Sequence, residues 1–272
     1  MSIFAINHNI PSLNVQRNLN NVGLGMSKSM EKLSSGLRIN TGWDGPADLV
    51  ISERMRSDIT ATKTAIRNNQ EAMNLMGSAE GALNEISKLL TDLKSKVVHA
   101  LNTGVVGVTG DAQVAADQAE YDAAVQSIDD ILTNTKYAGV ATFGAALDFQ
   151  TGITSTDTVN TDLLNVALAD LGVAVGDDVT DAGTLDLVDA AIEFVATQRG
   201  DIGSFMKGTL QANIDNLTIG NENLTASESY IRDTNMAEEI SNYTKHQILV
   251  QAGMSVLAQA NVSSQSVLQL LG

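Results

Sequence analysis

From His246 to Gly272 the sequence contains no Asp, Glu, Lys or Arg, yet Gln and Ser recur throughout the stretch. Few folds can accommodate such an ending. A segment without charge must be covered. A segment this rich in amides and hydroxyls is not a membrane span, and no run of about 18 apolar residues occurs anywhere in the chain. Met236, Ile240, Tyr243, Val250, Met254, Leu257, Leu268 and Leu271 fall in a heptad-like register, with Gln247, Asn261 and Ser264 at its polar breaks. A second stripe runs through Leu249, Ala252, Val256, Ala260, Val267 and Leu270. A helix with two apolar stripes needs partners on two sides. One can be the other end of the same chain. The second is most simply a neighbouring copy. The competing reading is a terminal helix buried in an ordinary core.

The opposite end supplies the first partner. Val15, Leu19, Val22, Met26, Met30, Leu33 and Leu37 recur at spacings of three and four, and Ile39 joins this packing set. Asp44-Gly45-Pro46 then reads as a helix start, with a polar cap and an early proline. From there to Leu101 no further proline occurs, and Gly appears only at Gly77 and Gly81. Met55, Ile59, Ile66, Met73, Met76, Leu83, Ile86, Leu90, Leu93, Val97 and Leu101 mark one face. The spacing predicts about 80 Å of continuous helix.

A break at Asn102 to Gly110 precedes a third helix through Val114, Tyr121, Val125, Ile128 and Leu132, with Gln118 the polar residue in its register. The period is lost over 134–162, where Tyr137, Val140, Phe143, Leu147 and Phe149 among glycines read as a small hairpin region. Residues 163–185 are ambiguous. The helical period returns from Val188 through Ile192, Val195, Ile202, Met206, Leu210, Ile214, Leu217, Leu224 and Ile231. The expected fold is mainly α: a long antiparallel coiled-coil or helical-bundle rod with a small β-hairpin region, both termini paired at one end. Residues 1–42 with 235–272 form the terminal coiled coil. Residues 43–234 form the helical rod, with the hairpin near 136–162.

The net charge of −16 is unevenly placed. Residues 1–100 carry +2, residues 101–200 carry −14 and residues 201–272 carry −4. Such a field repels nucleic acid and anionic membrane. The near-neutral ends suit self-association. No cysteine is present, so disulfides and thiolate metal sites are excluded. Met1 to Leu19 lacks a basic start followed by an apolar block, so no cleavable signal peptide is expected. His8, His99 and His246 stand far apart, and no HExxH, P-loop or nucleophile elbow occurs. Asp177, Asp178 and Asp181 lack the ligand alternation of a calcium loop and read as a solvated acidic loop. Catalysis, a cofactor and a metal are therefore not expected.

Four blocks carry a family resemblance. Leu33-Ser34-Ser35-Gly36-Leu37-Arg38-Ile39-Asn40 resembles the LSSGLRIN signature of bacterial flagellins. Glu80-Gly81-Ala82-Leu83-Asn84-Glu85-Ile86 and Ser227-Glu228-Ser229-Tyr230-Ile231-Arg232-Asp233 are similar to two further flagellin blocks. Gln247 to Gly253, then Leu257-Ala258-Gln259-Ala260-Asn261, resembles the family's ending. The resemblance implies a secreted structural subunit of the extracellular flagellar filament. It would be exported unfolded and would polymerise through its ends into a helical homopolymer for motility. It also implies an export chaperone, a filament cap and hook-junction proteins as partners. The short span after the hairpin implies a minimal type without large outer domains. A hook–filament junction protein and a secreted helical-hairpin adhesin or effector are the rival readings.

Three departures from the family pattern stand out. Thr41-Gly42-Trp43-Asp44-Gly45-Pro46-Ala47-Asp48 replaces the usual acidic-alanine stretch, and Trp43 there reads first as a local packing plug, with a partner contact as the alternative. Met206-Lys207-Gly208 stands where Gln-Asn-Arg is usual. Receptor-stimulating flagellins resemble one another in a Q-R-V-R-E-L stretch, matched here by Thr91 to Lys96. Asp92 replaces the first Arg, Lys96 replaces Leu, and Glu120 keeps the acidic contact of the next helix. Weak or absent activation of the vertebrate innate flagellin receptor is expected.

Overall fold

A computed structural model describes residues 9–102 and 112–271, with side chains described as far as residue 262. The helices are α1 (Ile10–Ser35), α2 (Pro46–Ala100), α3 (Ala112–Asn134), the single turn α4 (Leu168–Leu171), α5 (Ala182–Phe205), α6 (Ala212–Arg232) and α7 (Met236–Leu271). A π-helical segment, Met206–Gln211, joins α5 to α6. The strands β1 (Lys136–Tyr137), β2 (Val140–Ala141), β3 (Leu147–Gln150) and β4 (Thr158–Thr161) form two antiparallel hairpins, β1 with β2 and β3 with β4. The expected single hairpin is thus two short ones. The chain divides into a terminal unit, Met1–Ser57 with Asn223–Gly272, and a second unit, Asp58–Glu222.

In the second unit, α2 is the spine. Met76, Ala79, Leu83, Ile86, Leu90, Leu93, Val97 and Ala100 are buried in one cluster with Val114, Tyr121, Val125, Ile128 and Leu132 of α3. Val188, Ala191, Val195 and Ile202 of α5 complete it. Each fully buried Leu or Ile contributes about 1.5–3 kcal/mol. The earlier turns of α2 differ from the expected face. Ile59, Ile66 and Met73 are only half-buried, while Thr62, Ala65, Asn69 and Ala72 are buried. The reason is a backbone partner. Asn69 Nδ2 donates to Thr151 O at 2.9 Å and to Ala65 O at 2.8 Å, and Asn68 Nδ2 donates to Gln150 O at 3.3 Å. Small and amide side chains let the end of β3 lie against the helix.

Up to the start of α5 at Ala182, the ambiguous segment 163–185 is irregular chain around the single turn α4, pinned by buried Leu164, Val166, Leu171, Val173 and Val179. Their irregular spacing hides them from a periodicity test. Gln118 explains its place in the α3 register by holding this loop. Its Nε2 donates to Asp177 O at 2.8 Å, and its Oε1 accepts from Val179 N at 3.1 Å. The acidic residues shape the loop too. Asp177 accepts from Ala174 N at 2.7 Å, Asp178 from Thr180 N at 2.9 Å, and Asp181 caps α5 by accepting from Gly183 N at 3.0 Å.

The π segment occupies the position of the unusual Met206-Lys207-Gly208. On α5 the buried stripe runs Thr184, Val188, Ala191 and Val195 at spacings of four and three, then Ile202 seven residues on. Within the π segment the next buried residue is Leu210, one place later than an α-helix would put it. A π turn is a one-residue insertion, and here it rotates the stripe by that residue.

Candidate assembly surface

In the terminal unit, α1 and α7 pair antiparallel. Asn9 Nδ2 donates to Ala260 O at 3.1 Å, Ser12 Oγ donates to Asn261 Oδ1 at 3.0 Å, and Lys32 faces Glu239 at 3.9 Å. A continuous covered line on α1 runs through Ser12, Val15, Leu19, Val22, Met26, Ser29 and Leu33, and one on α7 through Glu239, Tyr243, His246, Val250, Gly253, Leu257 and Ala260. Both sets step by three and four throughout, a heptad seam.

Glycines set how closely the helices approach. A Cβ on Gly253 would stand 3.0 Å from Leu19 Cγ, and one on Gly25 would stand 2.8 Å from His246 Cε1. The Leu19 and His246 side chains therefore lie flat on bare backbone of the opposite helix.

The α7 register is a correction to the expected one. Tyr243, Val250 and Leu257 of that register lie on the covered side. Around them the seam also covers Glu239, His246, Gly253 and Ala260, while Ile240, Gln247 and Met254 are exposed and Asn261, exposed too, bonds Ser12. Met254 is 62% exposed and Val256 53% exposed; Leu249, Ile240, Met236 and, on α1, Met30 are also exposed. Val15, Leu19, Val22, Met26, Leu33 and Leu37 are half-buried, and Ile39 is buried. Val267, Leu268, Leu270 and Leu271 belong to the last turns of α7, and their side chains lie outside the described residues.

Two signature blocks, far apart in sequence, meet at the end of this pair. Gly36 ends α1 in the left-handed conformation, φ 74°, with its N–H donating to Lys32 O at 2.8 Å. Leu37 then pairs with Asp233 in an antiparallel bridge. Arg38 N donates to Arg232 O at 2.6 Å, Arg38 Nε donates to Ile231 O at 3.1 Å, and Arg38 also pairs with Asp48 at 3.3 Å. Arg232 reaches Glu53 at 2.7 Å. This network holds the first turns of α2 and the end of α6 in the terminal unit, which extends past the expected limits at residues 42 and 235. The following turn is fixed by Asp44. Its carboxylate accepts from Thr41 N and Thr41 Oγ1, both at 2.9 Å, and these bonds hold its pKa down to about 2.

The bare apolar surface and the charge are distributed oppositely. Among the described residues, all exposed large apolar side chains but Val98, Val140, Ile153, Val175, Leu187 and Ile219 lie in the terminal unit. Eight Lys and Arg balance eight Asp and Glu there, whereas eight meet twenty-four in the second unit. Trp43 is not a packing plug: it is 87% exposed. Elsewhere, Lys96 forms an ion pair with Glu120, which raises the pKa of its ammonium, and Asp92 is exposed beside them.

A helix pair closed on one side, with bare apolar side chains beside the seam and no net charge in its unit, has the character of a fibre subunit that assembles with its own kind. Residues 6–146 match the model of the bacterial flagellin N-terminal helical region, and residues 185–271 match that of the C-terminal helical region. The chain is 38% identical to a flagellin of Bacillus subtilis (strain 168), covering 98% of this chain and 99% of that one. It is 34% identical to the flagellar filament 33 kDa core protein of Treponema phagedenis, with the same coverage. A crystal structure of Bacillus cereus flagellin overlays with a TM-score of 0.47 at 24% identity, covering 56% of this chain and 88% of that chain. The chain belongs to the bacterial flagellins and is a structural subunit of the extracellular flagellar filament.

Proposed function

We propose that this subunit polymerises by burying the outward stripe of its terminal helices against neighbouring copies, while the α1–α7 seam closes within each chain. The observation that carries this reading is the pair Leu249 and Val256, seven residues apart on one bare flank of a helix end without charge. Each such side chain covered on assembly contributes about 1.5–3 kcal/mol. The terminal unit forms the filament core, and the acidic second unit forms its wetted exterior. No large outer domain is added. Export precedes folding, because α1 and α7 leave a bare stripe until a neighbour arrives. The export chaperone, the filament cap and hook-junction proteins are the further partners. No catalytic role belongs to this chain.

Deleting residues 250–272 removes both Gly253, which faces Leu19, and the bare Val256. The truncated chain is expected to stay in the supernatant on sedimentation while the helical signal of residues 58–222 persists. Filaments at the parent yield from the truncated chain would refute the reading.

A further inference from the structure

Trp43 is the only tryptophan of the chain, and it stands 87% exposed on a turn whose other members are fixed. Asp44 N donates to Thr41 O at 3.0 Å, and the Asp44 carboxylate also accepts from Asn40 N and pairs with Lys28, both at 3.3 Å. Ile39 on one side of the turn is buried. A Cβ on Gly42 would meet Leu49 Cδ2 at 3.8 Å, and one on Gly45 would meet Ile39 Cδ1 at 3.7 Å. The turn thus packs inward through its glycines and throws the indole outward.

A tryptophan presented this way has the properties of an interface anchor. It offers a large apolar area. Its turn is already ordered, so little conformational entropy is lost on docking. Tryptophans are enriched among the residues that dominate interface energies. The surrounding unit is formally neutral, so a second copy approaches it without net repulsion, whereas the other unit carries −16. We propose that Trp43 is an anchor of the contact between subunits, seated against the terminal unit of a neighbouring copy. The proposal rests on the polymerisation reading above and adds a contact remote in sequence from the α7 stripe.

Because Trp43 is the sole tryptophan, intrinsic fluorescence reports on it alone. Subunits released from filaments by mild heating are expected to emit at the wavelength of a hydrated indole. On reassembly the emission should move to shorter wavelength, and quenching by acrylamide should fall several-fold. Trp43→Ala should raise the critical concentration about tenfold or more, with Trp43→Phe recovering part of the loss and far-UV circular dichroism unchanged in both. Filaments that pellet normally with unshifted, fully quenchable emission overturn the anchor and leave the polymerisation reading standing. A full chain that never pellets overturns both.

Discussion

At the scale of single residues, the terminal seam depends on what is missing from it. Gly25 leaves room for the His246 ring, and no other residue type could do so without displacement. Gly25→Val should therefore cost about 1–3 kcal/mol through overpacking, raising the critical concentration several-fold or more. Adding His246→Ala to the same chain should restore part of the yield, since the valine then fills the space of the ring. If the double variant assembles no better than Gly25→Val alone, the packing account of this position fails.

Lys96 makes a second residue-scale case. Its ion pair engages Glu120, the acidic side chain that resembles the receptor contact, while Asp92 brings a negative charge where the family has Arg. Repulsion replaces attraction at one point, and a competing lysine occupies the other. A reporter-cell assay with soluble subunit should show weak or no receptor activation, and Asp92→Arg with Lys96→Leu should raise it. Activation by the parent chain as strong as that by a flagellin with the intact motif would contradict this.

Among the elements, the helices were legible because their apolar spacing is strong. Asp44-Gly45-Pro46 marked the start of α2, and the stripe Leu83 to Val97 marked its buried face. What was not legible is where small or polar residues take over. Gly253 and Ala260 carry no apolar signal, so a reading that follows bulk selects Met254 beside them and rotates the seam. Asn69, buried for the sake of a backbone carbonyl 82 residues away, just past β3, gives no local sign of its role. Trp43 misled for the opposite reason: its bulk suggested a core position that the turn denies it.

The π segment is an element-scale feature with a direct test. If Met206–Gln211 holds one extra residue, deleting Lys207 restores an α-helix and keeps the stripes of α5 and α6 aligned. That variant should fold and melt close to the parent. Deleting Asp215, within regular α6, shifts every later position by about 100° and should abolish assembly. Equal damage from the two deletions would rule out the insertion account.

For the whole molecule, the partition of charge and bare apolar surface is the organising fact. In the proposed polymer the neutral unit with its bare side chains is covered, and the second unit, carrying the full −16, stays wetted. Val256 tests this most directly, because it points away from the intrachain seam. Val256→Asp places a carboxylate where the separate subunit is already exposed, so the subunit should keep its helix content. In a polymer that buries the stripe, the same carboxylate is dehydrated without a partner, at a cost of about several kcal/mol. Asp178→Ala, which removes one exposed carboxylate of the second unit, is the control. Quantitative sedimentation of the three chains at equal concentration should find parent and Asp178→Ala in the pellet and Val256→Asp in the supernatant. Val256→Asp filaments at the parent yield would contradict the claim that the outward stripe of α7 builds the filament.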